Sequence, residues 1–359
     1  VVKFIFKRLF YGFLVLLGVI TVVFLLFNVL PGDPARAMLG QRADQASIDA
    51  INKDLGRDKP LSTQFLMYLN DLSPVSVHDA ENKDHHLYLS PDKYSSYVKL
   101  FPVSGTKVVV LKYPYLRRSY ITKRKVSDII IETLPETTVL ALAAITFGAF
   151  FGILVGIWSA IRKNSFFDKF SLIFAIFGMA LPSFFIGLII AWFFGFILRD
   201  YTGLSHVGSL YSTDDYGDEH LDLKNLILPT ITLGLRPLAI IIQLTRSSLL
   251  DVLSQDYIRT ATAKGLGFYK VVFKHALKNA LNPVITAISG WFAGLMAGAV
   301  FVEVIFNWKG IGNEVVTALA SNDLPVVMGA TLVFAMIFVL INIGVDIIYG
   351  ILDPRVRVQ

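Results

Sequence analysis

A few residues in this sequence have the types and spacing to do chemistry. Arg236, Glu303, Asn342 and Asp346 sit inside long apolar runs, and Asn28 lies near the end of another. A charge at the centre of a membrane helix costs roughly 2.5–3.5 kcal/mol on insertion scales. Such a residue therefore faces a cavity, a partner or a substrate path. Asn342 and Asp346 are four apart and share one helix face. Two readings stand side by side for these groups: a structural ion pair or snorkelling end residue, and a path for substrate or ions. His85 and His86 are adjacent, with His78 upstream. Adjacent ligands lack the spacing of a zinc site, so these histidines read as solvated loop residues. The sequence has no Cys, which removes thiolate nucleophiles, iron–sulfur clusters and disulfides. It has no H-E-x-x-H, no G-x-S-x-G and no G-x-x-x-x-G-K-[ST]. No catalytic, metal or cofactor residue is assigned, and the chain has no P-loop of its own for ATP.

The elements that must position these groups are membrane helices. Of 359 residues, 54% are hydrophobic and 17% charged, and the mean hydropathy is +0.61. Soluble domains run near 25% charged. The net charge of +6 fits lysine and arginine on the cytoplasmic side better than nucleic-acid binding. A spanning helix needs about 20 mostly apolar residues, and six stretches qualify: about 9–30, 138–161, 170–198, 226–244, 283–306 and 326–352. The third is long enough to tilt or kink at Pro182, and the fourth is weakest because it holds Pro229, Arg236 and Pro237. The first resembles a signal peptide in its basic start, but its apolar run is too long and lacks a cleavage site, so an uncleaved anchor is expected. The predicted fold is an all-α polytopic membrane protein of six helices with a small mixed external subdomain.

Charge sets the orientation. The start, the 162–169 link, the loop from Arg246 to Lys278 and the tail are basic; the 214–222 link is acidic. Both termini are then cytoplasmic. Three regions follow: an anchor helix over 1–30, an external region over 31–132, and a five-helix core over 133–359. The basic run from Arg117 to Lys125 would lie outside, which a long translocated loop tolerates. Within the external region, Thr106–Leu111 alternates like a strand. Asp44–Leu55 and Ser62–Leu72 suggest helices, and disorder is expected near Ser76–Asp84.

Lipid gives helices no hydrophobic reason to associate, so close packing needs small residues at helical spacing. Ala144, Gly148, Gly152, Gly156 and Ala160 form one ridge, and Gly290, Gly294 and Gly298 another. Either packs helices within the chain, or lines a subunit interface or moving seam.

The loop after the fourth span is the most informative. Apolar residues at Tyr269, Val272, Phe273, Ala276, Leu277 and Ala280 follow helical spacing, with Lys270, Lys274 and Lys278 opposite. Upstream, 256–264 reads as a short helix closed by Gly265 and Gly267, which suit a left-handed cap. The pair makes a cytoplasmic knob for another protein, or a basic helix lying on anionic headgroups.

Arg246-Ser247-Ser248-Leu249, Gln255-Asp256-Tyr257-Ile258-Arg259-Thr260-Ala261 and Ala263-Lys264-Gly265 resemble the cytoplasmic loop of dipeptide and oligopeptide ABC-importer permeases. Pro31-Gly32-Asp33-Pro34, Leu181-Pro182-Ser183-Phe184, Leu228-Pro229-Thr230, Leu233-Gly234-Leu235, His275-Ala276-Leu277, Glu303 with Gly310-Ile311-Gly312, and Asp353-Pro354-Arg355 are similar to further motifs of that family, in order. The general Glu-Ala-Ala start of the permease loop signature is replaced by Arg259-Thr260-Ala261, and its later Leu-Pro by Leu277-Lys278. The stretch 73–120 is longer than the family norm.

The resemblance implies a type I ABC-importer permease of the bacterial inner membrane. Its partners would be a homologous second permease, two cytoplasmic ATPases that bind ATP and magnesium, and an external solute-binding protein. Arg259, Thr260, Ala261, Ala263, Lys264, Gly265, Leu266 and Gly267, within the loop 246–282, would dock in the ATPase. Arg236, Glu303, Asn342, Asp346 and Asn28 are candidates for the translocation path. The cargo would be dipeptides or oligopeptides, with nickel, glutathione or another small solute as the alternative. A stand-alone secondary transporter would leave the glycine-broken knob unexplained.

Overall fold

The computed structural model describes residues 2–29, 52, 56–82, 85, 87–91, 93–94, 96–213 and 216–352. The motifs at Pro31–Pro34 and Asp353–Arg355, and nearly all of the helix expected over Asp44–Leu55, lie outside them.

Helix follows helix wherever apolar runs are long. In chain order these are α1 (Val2–Val29), α2 (Leu61–Leu72), α3 (Val126–Ile161), α4 (Phe166–Ala180), α5 (Ser183–Trp192), α6 (Ile227–Leu253) and α7 (Asp256–Ala263). A composite α8 follows, built of Phe268–Lys270, a π-helical stretch Val271–Ala276, and Leu277–Ala280. The chain continues through α9 (Asn282–Gly298), α10 (Val300–Phe306), α11 (Ile311–Ala320) and α12 (Leu324–Leu352). Among the described residues, four helices are long and apolar enough to cross a membrane, or up to six if two bent pairs each count as one crossing.

Those bends correct the expected spans. The third is two helices, α4 and α5 with its π-helical extension Phe193–Ile197, at 107° to each other. Pro182 has no amide to donate and drives Leu181 into extended backbone, ψ 136°, so the helix stops and restarts. The fifth is α9 and α10, bent by 58°.

The chain divides into two compact units. One comprises Phe13–Glu132 and Val315–Ala335; the other, Val1–Gly12, Thr133–Glu314 and Met336–Gln359. In the first, Val23, Phe24, Tyr68, Met328 and Leu332 form an apolar cluster. The Asp323 carboxylate accepts from the Ser119 hydroxyl and from the Tyr120 amide at 2.9 Å. Its antiparallel sheet has the order β1 (Val75–Asp79), β3 (Lys107–Lys112), β2 (Tyr97–Ser104). The alternating run at 106–111 is β3.

Strand β1 runs through the segment expected to be disordered, and His78, expected to be solvated, is fully buried. The reason is one of partners. Ser76 Oγ lies 3.0 Å from His78 Nε2, and Leu87 O lies 3.2 Å from Nδ1. The polar side chains that made this stretch look solvated are satisfied inside the sheet. Burial, helped by the nearby Lys112 ammonium, pulls the imidazole pKa down to about 4.

In the second unit, Leu140, Ala141, Ala144, Leu228, Leu233, Val302, Phe306 and Trp308 share one core. Phe166, Phe170 and Phe177 stand out from α4 with more than half of their surface exposed, as lipid-facing residues do.

Candidate functional site

The loop between α6 and α9 folds into the knob. Helix α7 buries Ile258 and Ala261 and leaves Tyr257, Arg259, Thr260, Ala263 and Lys264 exposed. Its end turns at Gly265, with φ +82° and its amide 2.9 Å from Thr262 O. A side chain there would have open space but a strained backbone. Gly267, expected to share the left-handed cap, has φ −63° and ψ 147° instead. Leu266 is half-buried beneath the turn.

Helix α8 differs from the expected stripe. Val271, Val272, Ala276 and Ala280 are buried, whereas Tyr269 and Phe273 are exposed. The π-helical stretch explains this. Its wider turn shifts the register, so Val271 goes inward where Phe273 was expected. Lys270, Lys274 and Lys278 are exposed.

The knob is fastened to its stems. Ile157 and Ala160 of α3 and Leu249 of α6 pack with Ile258, Ala261, Val271, Val272, Ala276 and Ala280 as one apolar cluster. Ser248 Oγ donates to Ala280 O at 2.8 Å, and Asn279 Nδ2 to Tyr257 Oη at 2.9 Å. Beside this cluster is a feature the sequence reading missed. Arg246 holds Asp168 in a bidentate pair, Nε to Oδ1 at 2.5 Å and an Nη to Oδ2 at 2.8 Å. Ser159 Oγ donates to Oδ1 at 2.5 Å, and the Asn164 amide to Oδ2 at 2.8 Å. One carboxylate thus ties α3, the 162–165 turn, α4 and α6 together. A signal existed: Ser165 with Asp168 three residues on is a helix-start pattern.

The intramembrane candidates separate. Glu303 is fully buried. Its carboxylate accepts from Thr137 Oγ1 at 2.7 Å and from the Asn313 amide at 3.0 Å, and Thr137 Oγ1 accepts from the Ile311 amide at 2.9 Å. Glu303 and Thr137 thus supply acceptors for the Asn313 and Ile311 amides at the first turn of α11, which lack helical partners. A Cβ at Gly310 or Gly312 would overlap that carboxylate, so the Gly-Ile-Gly sequence makes room for it. Asp346 pairs with Arg8 at 3.1 Å, and Asn342 Nδ2 donates to Phe338 O in its own helix at 2.7 Å. Asn28 lies in the last turn of α1, with its side chain outside the described residues. Arg236 is exposed, with its guanidinium 5.7 Å from the Trp291 ring centroid.

The two glycine ridges also separate. A Cβ on Gly148 would lie 3.1 Å from Gly234 O, on Gly152 2.8 Å from Ile241, and on Gly156 2.6 Å from Thr245. Helices α3 and α6 are therefore in near-backbone contact. Gly290 and Gly294 have nothing within 4 Å of a Cβ. Gly298 ends α9.

Comparison with known proteins adds the following. Residues 152–358 match the model of the binding-protein-dependent transport system inner membrane component, and residues 1–86 match that of its N-terminal region. The di/tripeptide transport system permease protein DppB of Pseudomonas aeruginosa is 34% identical, with 95% of each chain covered. The dipeptide transport system permease protein DppB of Alkalihalophilus pseudofirmus is 34% identical over 96% of each. The glutathione transport system permease protein GsiC of Pectobacterium atrosepticum is 33% identical over 95% of this chain and 94% of that one.

Proposed function

The chain belongs to the family of binding-protein-dependent transport system inner membrane components, as a permease of the peptide-type ABC importers, and from that premise we propose how it works and what it carries. It forms half of a translocation path for dipeptides or oligopeptides handed over by an external solute-binding protein. A homologous permease supplies the other half. Two ATPases, which hold ATP and magnesium, grip the knob from the cytoplasm. In this reading the chain crosses the bilayer six times with both termini cytoplasmic, the bent pairs each counting once. The β1–β3–β2 sheet then belongs to an external subdomain within 31–132, and 133–359 is the permease core.

The observation that carries the reading is the build of the knob. Arg259, Thr260, Ala263, Lys264 and Gly265 are exposed, while Ile258 and Ala261 are locked to the ends of α3 and α6. A partner that moves this exposed face moves two membrane helices with it. ATP-driven closure of the ATPase pair would then rock the helices between inward-open and outward-open states. To shift the population decisively, ATP must favour one state by about 5 kcal/mol.

The test is uptake by the reconstituted complex. Gly265→Asp is expected to abolish ATP-driven dipeptide uptake while the subunit still inserts and copurifies with the second permease. Normal uptake by that variant would overturn the coupling role. The GsiC relative supports glutathione as a second cargo; competition between labelled dipeptide and glutathione in the same vesicles separates the two.

A further inference from the structure

Most of the exposed surface of the membrane helices is apolar, as on the Phe166–Phe170–Phe177 face of α4. One face is different. On α6, Arg236, Gln243 and Ser247 are exposed at helical spacing, and on α9 so are Thr286, Gly290 and Gly294. Trp291 links the two sets through its contact with Arg236. Arg236 is nine residues into α6, about 14 Å along its axis at 1.5 Å per residue, and so near the middle of a hydrocarbon layer about 30 Å thick. No carboxylate pairs with it among the described residues. A lone cation at that depth, on a face of amide, hydroxyl and glycine, requires water or an anion opposite it. The open glycines leave room for one.

We infer that Arg236, steadied on the face of Trp291, is a carboxylate-binding point on the water-lined path and receives the carboxylate of the passing solute. The inference rests on the peptide-import reading and gives it a residue. Peptides of any side chain share a terminal carboxylate, so one fixed cation serves them all. A guanidinium holds that group by paired hydrogen bonds, while the ring keeps it from folding back along α6.

The chain has no cysteine, so single cysteines report cleanly by the mass shift of this subunit. Gly290→Cys and Gly294→Cys variants of the purified complex are treated with the anionic sulfonatoethyl and the cationic trimethylammonioethyl methanethiosulfonates. The anionic reagent is expected to react about tenfold faster, as a focused positive potential raises local anion concentration. Arg236→Gln should remove that preference and Arg236→Lys retain it. Phe177→Cys, on the lipid face, should stay unlabelled. Millimolar dipeptide should protect the Gly290→Cys variant, and its C-terminal amide should not. Equal rates for both reagents would overturn the inference, since a partner's carboxylate then neutralises Arg236. So would no labelling by either, which means a covered face, or equal protection by acid and amide. ATP-driven dipeptide uptake is measured on the same complex without a cysteine. Uptake without the charge preference sinks this inference alone; charge preference without any peptide uptake sinks the peptide-import reading.

Discussion

The two glycine ridges have the same spacing and opposite fates. Gly148, Gly152 and Gly156 let α3 lie against α6 so closely that a Cβ would be crowded at the first and would collide at the other two, whereas Gly290 and Gly294 face open space. Small residues at four-residue spacing announce that something comes near. They do not say whether it is a helix of the same chain, a partner or a passing solute. The difference lies in what surrounds them. The first ridge faces a strip of α6 that is itself small or apolar, including Gly234, Leu238 and Ile241. The second lies beside Arg236 and Thr286, which stay exposed among the described residues.

The comparison breaks most sharply at Gly156. A leucine there meets Thr245 and the Ile242 carbonyl and is expected to cost about 3 kcal/mol or more, seen as a large loss of thermal stability in detergent. A variant as stable as the parent would show that α3 and α6 can separate freely. Asp168→Asn comes next. Its partner Arg246 keeps only 18% of its side-chain surface exposed and Asp168 2%, so weakening these charge-assisted hydrogen bonds should cost about 1.5–3 kcal/mol. Combined with Arg246→Gln the loss should be less than additive; strict additivity would mean the pair does not tie α4 to α6.

A third region sharpens the contrast between covered and open polar groups. His78 is buried with its pKa depressed from 6.5 to about 4. As pH falls, the unfolded chain takes up the proton first, so the sheet loses stability from about pH 6.5 to about pH 4. Amide exchange in β1 and β3 should quicken across that window, and His78→Gln should flatten the dependence. An unchanged profile would mean that the imidazole is protonated without leaving the sheet. The smallest effect is expected at Gly290. Leucine there should change stability by no more than about 0.5 kcal/mol, yet it should reduce uptake because it fills the open face. A destabilised Gly290→Leu subunit would show that α9 is packed from that side.

Much of the fold was legible because membrane insertion reads hydrophobicity one stretch at a time. Each long apolar run became helical, and the strand at 106–111 and the helix at 62–72 lie where their patterns place them. Where the structure departs from these patterns, each departure has its own physical reason. Disorder is expected near Ser76–Asp84, yet Ser76, His78 and Asp79 sit in β1 with their side chains hydrogen-bonded. Phe273 looked buried because helical spacing was assumed through a stretch that turns π-helical. Pro182 signalled a disturbance but not its 107° size.

At the site, local order was enough for the knob: a short helix, a turn at Gly265 and a second helix follow from residue type and spacing. So did the suspicion attached to charges in apolar runs. Their partners did not, because Asp168 and Arg246 are 78 residues apart and Thr137 and Glu303 are 166 apart. The chain alone determines which long apolar stretches are helical and that the knob turns at Gly265. Only the tertiary structure decides which polar group in an apolar run is buried and hydrogen-bonded, as Glu303 is, and which faces outward with no carboxylate partner among the described residues, as Arg236 does. Pairing depends on which helix faces come together, and no stretch of sequence contains both.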